Sequence, residues 1–551
     1  MSLRRRLVVP VIFSALAVLA GCGGSSGTTK GTPPPTGGFS NTNLNGTYVF
    51  SVTGSDSSNG FFQTIAGTFI ANGTGAITAG VMDVNGESLG PITNQAITSG
   101  SYSVGADGRA SSPSRLLTLT TSAGSFQFAF VLTSSSHGLI TEFDSNGSGS
   151  GTLDLQANVS QTNINSQSYA FNFTGASGAT NVICGIPEVS SVSTPFASAG
   201  AFTMGASGTS VTTGVEDFNS NCSSSGLTDL PIGPGSSVNL GTVPGTAVLA
   251  TNAGTFNFDV YPVDTTHLKF IEVDAGTVLS GDAFTQASSI PTGNLVFSLA
   301  GFDTIAGGFP FSTAGIFNAD GNGNITGSSV QDINDGGVAA GVASGISGNY
   351  IAVTGGRSVL TLTSGFFNGG NLATACTNCQ FAAYPSSGGL QLLEIDNGGI
   401  TAGTAFTQNN PSFGSAQGFG VNWSGANSSG FEEDDIVEFT NNSGTLGPGV
   451  IDSNQMGVSQ SFGQKYQASY AADSTVSGRG VVTPQTNAFN LVMYGIDSQN
   501  QVIISIDPNF VGIGSAVQQN ASAMSSAAVA HLAVLQARPV AAKAMKKRAA
   551  R

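Results

Sequence analysis

Charge is what this sequence has least of. Only 9% of its 551 residues are charged, and 16 Lys and Arg face 31 Asp and Glu, for a net charge of −15. Nucleic acid is thereby excluded as a partner, because its phosphates need a basic surface. Strong helix formers such as Lys, Glu and Arg are sparse until the last few residues, which excludes a mostly helical protein. Histidine occurs only at His137, His267 and His531. A Ser-His-Asp set needs a well-placed histidine as its base, and none can be assembled, so no catalytic residue and no cofactor is assigned. A disordered chain is excluded too, since 40% of the residues are hydrophobic. The 77 glycines, with abundant Ser, Thr and Asn between short apolar runs, describe an all-β protein rich in turns.

The N-terminus carries an export pattern. Arg4, Arg5 and Arg6 precede an apolar core, Leu7–Leu19, that is shorter than the roughly 20 residues of a membrane span. It ends in Leu19-Ala20-Gly21-Cys22, which resembles the lipobox of bacterial lipoproteins. The resemblance implies a signal peptide over residues 1–21, removal of that peptide, and lipidation of Cys22, with the bilayer as a partner. Gly23 in place of an aspartate implies the outer membrane or cell surface. Residues 22–40, with Pro33, Pro34 and Pro35, form a spacer that cannot build a core.

Four copies of one module follow, over residues 41–158, 159–288, 289–410 and 411–520. Their first strands contain Tyr48-x-Phe50-x-Val52-x-Gly54, Tyr169-x-Phe171-x-Phe173-x-Gly175, Leu295-x-Phe297-x-Leu299-x-Gly301 and Phe419-x-Val421-x-Trp423-x-Gly425. Large and small residues alternate, the period of a strand with a buried face. The copies begin roughly 125 residues apart, whereas solenoid units run about 20–50, so they are tandem domains. A glycine-rich hairpin ending in Asp-x-Asn marks each copy, as in Gly67–Asn85, and each copy closes near a glutamine, at Gln156, Gln286, Gln408 and Gln518. About eight strands joined by short turns predict four antiparallel up-and-down β-barrels, which leave no free edges; β-sandwiches are the alternative. Length and strand count are similar to the calycin group of avidin- and lipocalin-like barrels, with Gly46-x-Tyr48 standing near their first-strand Gly-x-Trp. Residues 521–551 are alanine-rich with a basic end, predicting a helical or disordered tail.

Polar repeats supply the remaining candidates. Beyond Cys22, an even set of exported cysteines points to disulfides: Cys184 with Cys222, and a loop staple between Cys376 and Cys379. His137 and His267 occupy equivalent positions that are turn residues in the other copies, which predicts a polar turn. The pairs Glu142/Asp144, Glu272/Asp274 and Glu394/Asp396 could serve glycoside chemistry, but their repetition fits structural inheritance. The pairs Asp83/Asn85, Asp217/Asn219, Asp332/Asn334 and Asp452/Asn454 are expected to end strands in turns; weak calcium ligation is their other reading, and no metal site is assigned. The run Glu432–Asp435 reads as a solvated acidic face.

The expected function is that of a membrane-anchored exported lipoprotein acting in surface binding, adhesion or envelope structure, with envelope or extracellular polysaccharide or protein as partner. A carrier of small apolar ligands inside the barrels and a carbohydrate-active enzyme are the alternatives.

Overall fold

The computed structural model describes residues 38–520 except 59, 178–193, 221–226, 304–308, 369–371, 373, 457–458 and 487. The signal segment, Cys22, Cys184, Cys222 and the C-terminal tail lie outside the described residues. The chain forms four antiparallel β-barrels in tandem. The third runs from Gly293–Asp303 to Gly399–Thr407 and the fourth from Gln417–Asn427 to Phe510–Gln518, each a closed circuit of eight strands. The first closes by pairing Phe62–Asn72 with Ala76–Gly86 and Asn45–Asp56 with Gly147–Leu155, leaving Ile92–Ile97 as a flap beside the circuit. In the second, the seam between Val211–Ser220 and Ser237–Asn239 is spanned by Val211 N donating to Ser236 O at 2.9 Å and Val238 N donating to Thr209 O at 2.8 Å.

Alternation along each strand decides which side chains fill a barrel. Tyr48, Phe50 and Val52 point inward in the first barrel and meet Phe69, Phe128 and Phe130. Phe50 packs edge-on to Phe128, with ring centroids 5.5 Å apart. In the second barrel Phe173 lies 5.0 Å from Phe258 and 5.2 Å from Phe270. In the third, Phe297 stacks on Phe317 at 3.9 Å. Trp423, Phe439 and Tyr466 fill the fourth. Each buried aromatic contributes on the order of 1.5–3 kcal/mol, so the four interiors supply most of the driving force.

Glycine makes that packing possible in one repeated place. A Cβ on Gly67 would lie 2.9 Å from Phe50 Cε1, one on Gly200 2.5 Å from Phe171 Cζ, and one on Gly315 2.8 Å from Phe297 Cε1. The first-strand ring therefore lies flat over the bare backbone of the second strand. In the fourth barrel Val421 faces Val437 at this register instead, and no glycine is required.

The outward faces are buried as well. Val49 and Ala66 of the first barrel cluster with Tyr261, Val263 and Ile271 of the second. Ala199 and Val215 of the second meet Tyr384 and Leu393 of the third. Val296 and Ile316 of the third meet Val492 and Ile504 of the fourth. Ile436 of the fourth meets Val131, Leu139 and Phe143 of the first. The fourth barrel thus returns to the first, and the four close head to tail into a ring.

Candidate functional site

The repeated polar residues meet at the four joints of this ring, in three bands. At one end of each joint stands the closing glutamine. Gln156 Nε2 donates to Pro262 O at 2.7 Å, Gln286 Nε2 to Gly355 O at 3.1 Å, and Gln408 Nε2 to Gly495 O at 2.9 Å. In the fourth barrel the clamp is Gln519, reaching Asp107 O at 2.8 Å and Leu132 O at 3.0 Å. Gln518, the glutamine near which the fourth copy closes, bonds Gln417 of its own barrel instead.

At the other end stands the asparagine of each Asp-x-Asn pair. Asn85 Nδ2 donates to Glu272 O and Thr277 O at 2.8 and 3.1 Å, and Asn219 Nδ2 to Glu394 O and Gly399 O at 2.6 and 2.9 Å. Asn334 Nδ2 reaches Ser505 O and Phe510 O at 3.1 and 2.9 Å, and Asn454 Nδ2 reaches Glu142 O and Gly147 O at 2.8 and 2.9 Å. All four are buried. Each amide bridges carbonyls on two strands of the next barrel, and losing one buried partner of this kind costs about 1–3 kcal/mol.

Between the two clamps lies the aspartate. Asp217 accepts Arg357 Nε and Nη2, both at 2.7 Å, and the Tyr384 hydroxyl. Asp332 accepts Arg479 Nε and Nη2 at 2.7 and 2.9 Å, and the Tyr494 hydroxyl. Such bidentate, charge-assisted pairs are the strong ones. Burial and the facing carboxylate hold both phenols well above their ordinary value. Among the described residues the joint between the first and second barrels has no arginine. Asp83 accepts the Tyr261 hydroxyl at 2.5 Å and lies beside Asp259, which burial and the Asp83 charge push up to about 7. The joint between the fourth and first has no tyrosine: Asp452 accepts Arg109 Nη1 at 2.6 Å, and Val131 stands where the other barrels carry the phenol.

Asp-x-Asn therefore joins barrels as well as ending strands. Two other expectations are corrected. His137 and His267 are buried, not exposed at turns, because their rings pair with acids: His137 Nδ1 with Asp154 at 2.7 Å and His267 Nε2 with Asp282 at 2.5 Å. Lys269, fully buried, lies between them, donating to Thr152 Oγ1 at 2.7 Å and lying 3.2 Å from Asp154. Burial pushes Asp154 up, but Lys269 and His137 outweigh it and hold the carboxyl below its ordinary range. The run Glu432–Asp435 is also buried, since its strand is wedged between the fourth barrel's core and the first barrel. Asp435 accepts the Trp423 indole N–H inside the barrel, while Asp434 accepts Ser148 and Ser150 of the first barrel at 2.5 and 2.8 Å.

Cations mark the joints too. Between residues 41 and 520 the only ones are Arg109, Arg115, Lys269, Arg357, Lys465 and Arg479. Lys269, Arg357, Arg479 and Arg109 supply one to each joint in turn. The signal was the recurrence of Gly-Arg at Gly108-Arg109, Gly356-Arg357 and Gly478-Arg479 in a chain poor in charge.

The Glu-x-Asp pairs divide their work. Asp144, Asp274 and Asp396 accept the backbone N–H of Gln127, Asn257 and Gln380 at 3.1, 2.7 and 2.6 Å. Glu142, Glu272 and Glu394 turn into barrel interiors, where burial holds all three well above the carboxylate range. Cys376 and Cys379 are joined by a disulfide. Among the described residues no three His, Cys, Asp or Glu side chains converge on a metal-sized site. An open cleft of about 420 Å³ lies outside the joint of the second and third barrels, lined by Phe202, Thr203, Thr213, Asp229 and Gln286.

Comparison with known proteins returns no relative: no family model, no curated protein and no solved structure matches this chain.

Proposed function

We propose that this is an exported lipoprotein, held to the cell envelope through Cys22, whose ring acts in surface binding, adhesion or envelope structure. The observation that carries the reading is where the chain enters and leaves the ring. Phe39 N donates to Ala106 O, and Gln519 Nε2 to Asp107 O. A Cβ on Gly108 would lie 3.2 Å from Phe39 Cδ2 and 2.8 Å from Gln519 Nε2, so both ends converge on one turn. A tether leaving from this turn holds the glutamine-clamped end of the ring toward the bilayer. The opposite end, carrying turns 87–90, 143–146, 273–276, 395–398 and 507–509, then faces outward. Leu89 and Phe431, 61% and 37% exposed, lie on that outer end. Interiors filled by aromatic rings favour binding at this surface over carriage of an apolar ligand within the barrels.

Two measurements test the reading. Mass spectrometry of the mature protein is expected to find an acylated Cys22 as the first residue; cleavage elsewhere would overturn the anchor. Retention of the full chain on insoluble envelope polysaccharides and on extracellular matrix protein is expected to fall with Leu89→Asp and Phe431→Asp. Ile70→Asp and Val243→Asp, at exposed positions on the tethered end, are expected to leave it unchanged. Retention on none of these materials, or equal loss from both ends, counts against surface binding.

A further inference from the structure

We propose that the joint between the fourth and first barrels is a pH-gated latch: the ring is closed in acid and parts at this joint as the carboxyl groups buried there ionise, baring a strand face on each terminal barrel. The inference is independent of the lipid anchor. It begins from connectivity. The other three joints link barrels that are consecutive in the chain, so a short linker holds their faces at high effective concentration even when contacts break. The fourth barrel meets the first with no linker behind it.

The chemistry of the joint supplies the gate. The fourth barrel presents Glu432, Asp434 and Glu438, all fully buried, from one strand, and Asp452 from the next. Glu433 and Asp435 alternate to the inside of the fourth barrel. The first barrel brings the hydroxyls of Ser55, Ser148 and Ser150 to these groups and Asp107 to Arg109, while Glu142, turned into its own interior beside Asp144 and Asp56, lies near enough to Glu432 and Asp434 to repel them. Arg109 is the cation that answers Asp452, and it is shared between Asp107 at 2.9 Å and Asp452 at 2.6 Å. No phenol assists, because Val131 replaces it. The hydroxyls of Ser148 and Ser150 donate to Asp434, whereas both carboxyl oxygens of Glu432 are buried without a hydrogen bond, so ionising Glu432 as well would set a second charge in the dry seam against the first.

The sign follows from linkage. Burial first, and neighbouring Asp434 second, hold Glu432 well above the carboxylate range; burial raises Asp434 as well. The closed joint therefore binds protons more tightly than the parted, hydrated one, and rising pH favours parting. Parting exposes Leu139 and Phe143 on one side and Ile436 on the other, while every barrel keeps its own closed hydrogen-bond ladder.

Hydroxyl-radical footprinting of the full chain from about pH 5 to about pH 9 tests the latch, with small-angle scattering in parallel. Oxidation of Phe143 and Ile436 is expected to rise several-fold with pH relative to Ile316 and Ile504, which are buried in the joint of the third and fourth barrels, and the radius of gyration is expected to grow. The double variant Glu432→Gln, Asp434→Asn is expected to stay closed across the range. Arg109→Gln, which leaves Asp452 without its cation, is expected to part at lower pH. If the double variant does not fold, Glu432→Gln alone is expected to move parting to higher pH. Unchanged protection of Phe143 and Ile436 at both extremes would overturn the latch. So would exposure of Ile316 and Ile504 in step with them, or parting of the folded carboxyl variants at the wild-type pH.

Discussion

The joint of the second and third barrels and the joint of the fourth and first are built on the same frame. Each has a glutamine at one end, an asparagine at the other and an aspartate between. They differ in what answers the aspartate. Asp217 receives a bidentate arginine and a phenol, and the surrounding wall is a run of alanines, Ala197, Ala199 and Ala201, that lets the barrels close tightly. Asp452 receives one guanidinium nitrogen, and its wall carries further carboxyl groups. The frame alone therefore positions two barrels, while the partner of the aspartate decides how firmly they hold. A module can be copied four times and its interfaces still be tuned separately, because the partner residues lie on the following copy.

Removing the arginines is the most direct way to test that contrast. Arg357→Ala leaves Asp217 charged in a dry seam and is expected to lower stability by about 3–5 kcal/mol. Arg109→Ala is expected to lower it by about 1–3 kcal/mol, because its joint can part and rehydrate Asp452. The two urea midpoints compare them; equal losses would erase the distinction. Next, Asn219→Ala orphans two carbonyls and is expected to remove about 1–3 kcal/mol, with Asn454→Ala below it, by the same measurement.

A pH-dependent effect separates interior acids from joint acids. Burial pushes Glu216, inside the second barrel, from 4.5 up to about 8. The folded state thus holds a proton that the unfolded chain releases. Stability from this group is intact in acid, declines as pH rises from about 4.5 to about 8, and levels off above. Glu216→Gln is expected to flatten that decline in stability measured against pH without altering the pH at which the fourth and first barrels part. Smallest of all, Leu89→Ser on the exposed outer turn is expected to shift stability by no more than about 0.5 kcal/mol in either direction, read as the urea midpoint.

Much of the barrel was legible in sequence. Tyr48, Phe50 and Val52 with their counterparts alternate at the period of a strand, and Gly67, Gly200 and Gly315 recur because a ring must lie over each. The joints were only half legible. Asp-x-Asn stood out as the most faithful polar repeat, yet a strand-ending turn explained it equally well, since its partners lie in another copy, roughly 140–190 residues ahead for three pairs and more than 300 residues back for Asp452 and Asn454. His137, His267, Glu432 and Asp434 were misread for one reason: an outward polar residue is exposed in an isolated barrel and buried where a second barrel covers it, whereas Glu433 and Asp435 are buried inside their own barrel.

By itself the sequence determined four antiparallel β domains of about eight strands, with barrel and sandwich both open, because period-two alternation and repeated turn glycines act within about a dozen residues and need no distant partner. It also determined which side chains would fill each interior. Only the tertiary structure decided that the outward faces are buried too, that Asp83, Asp217, Asp332 and Asp452 are answered by residues of the following barrel, and that the last barrel returns to the first. The physical reason is that burial of a polar group depends on what covers it. In this ring the cover comes from another copy of the module, whose position local pattern does not encode.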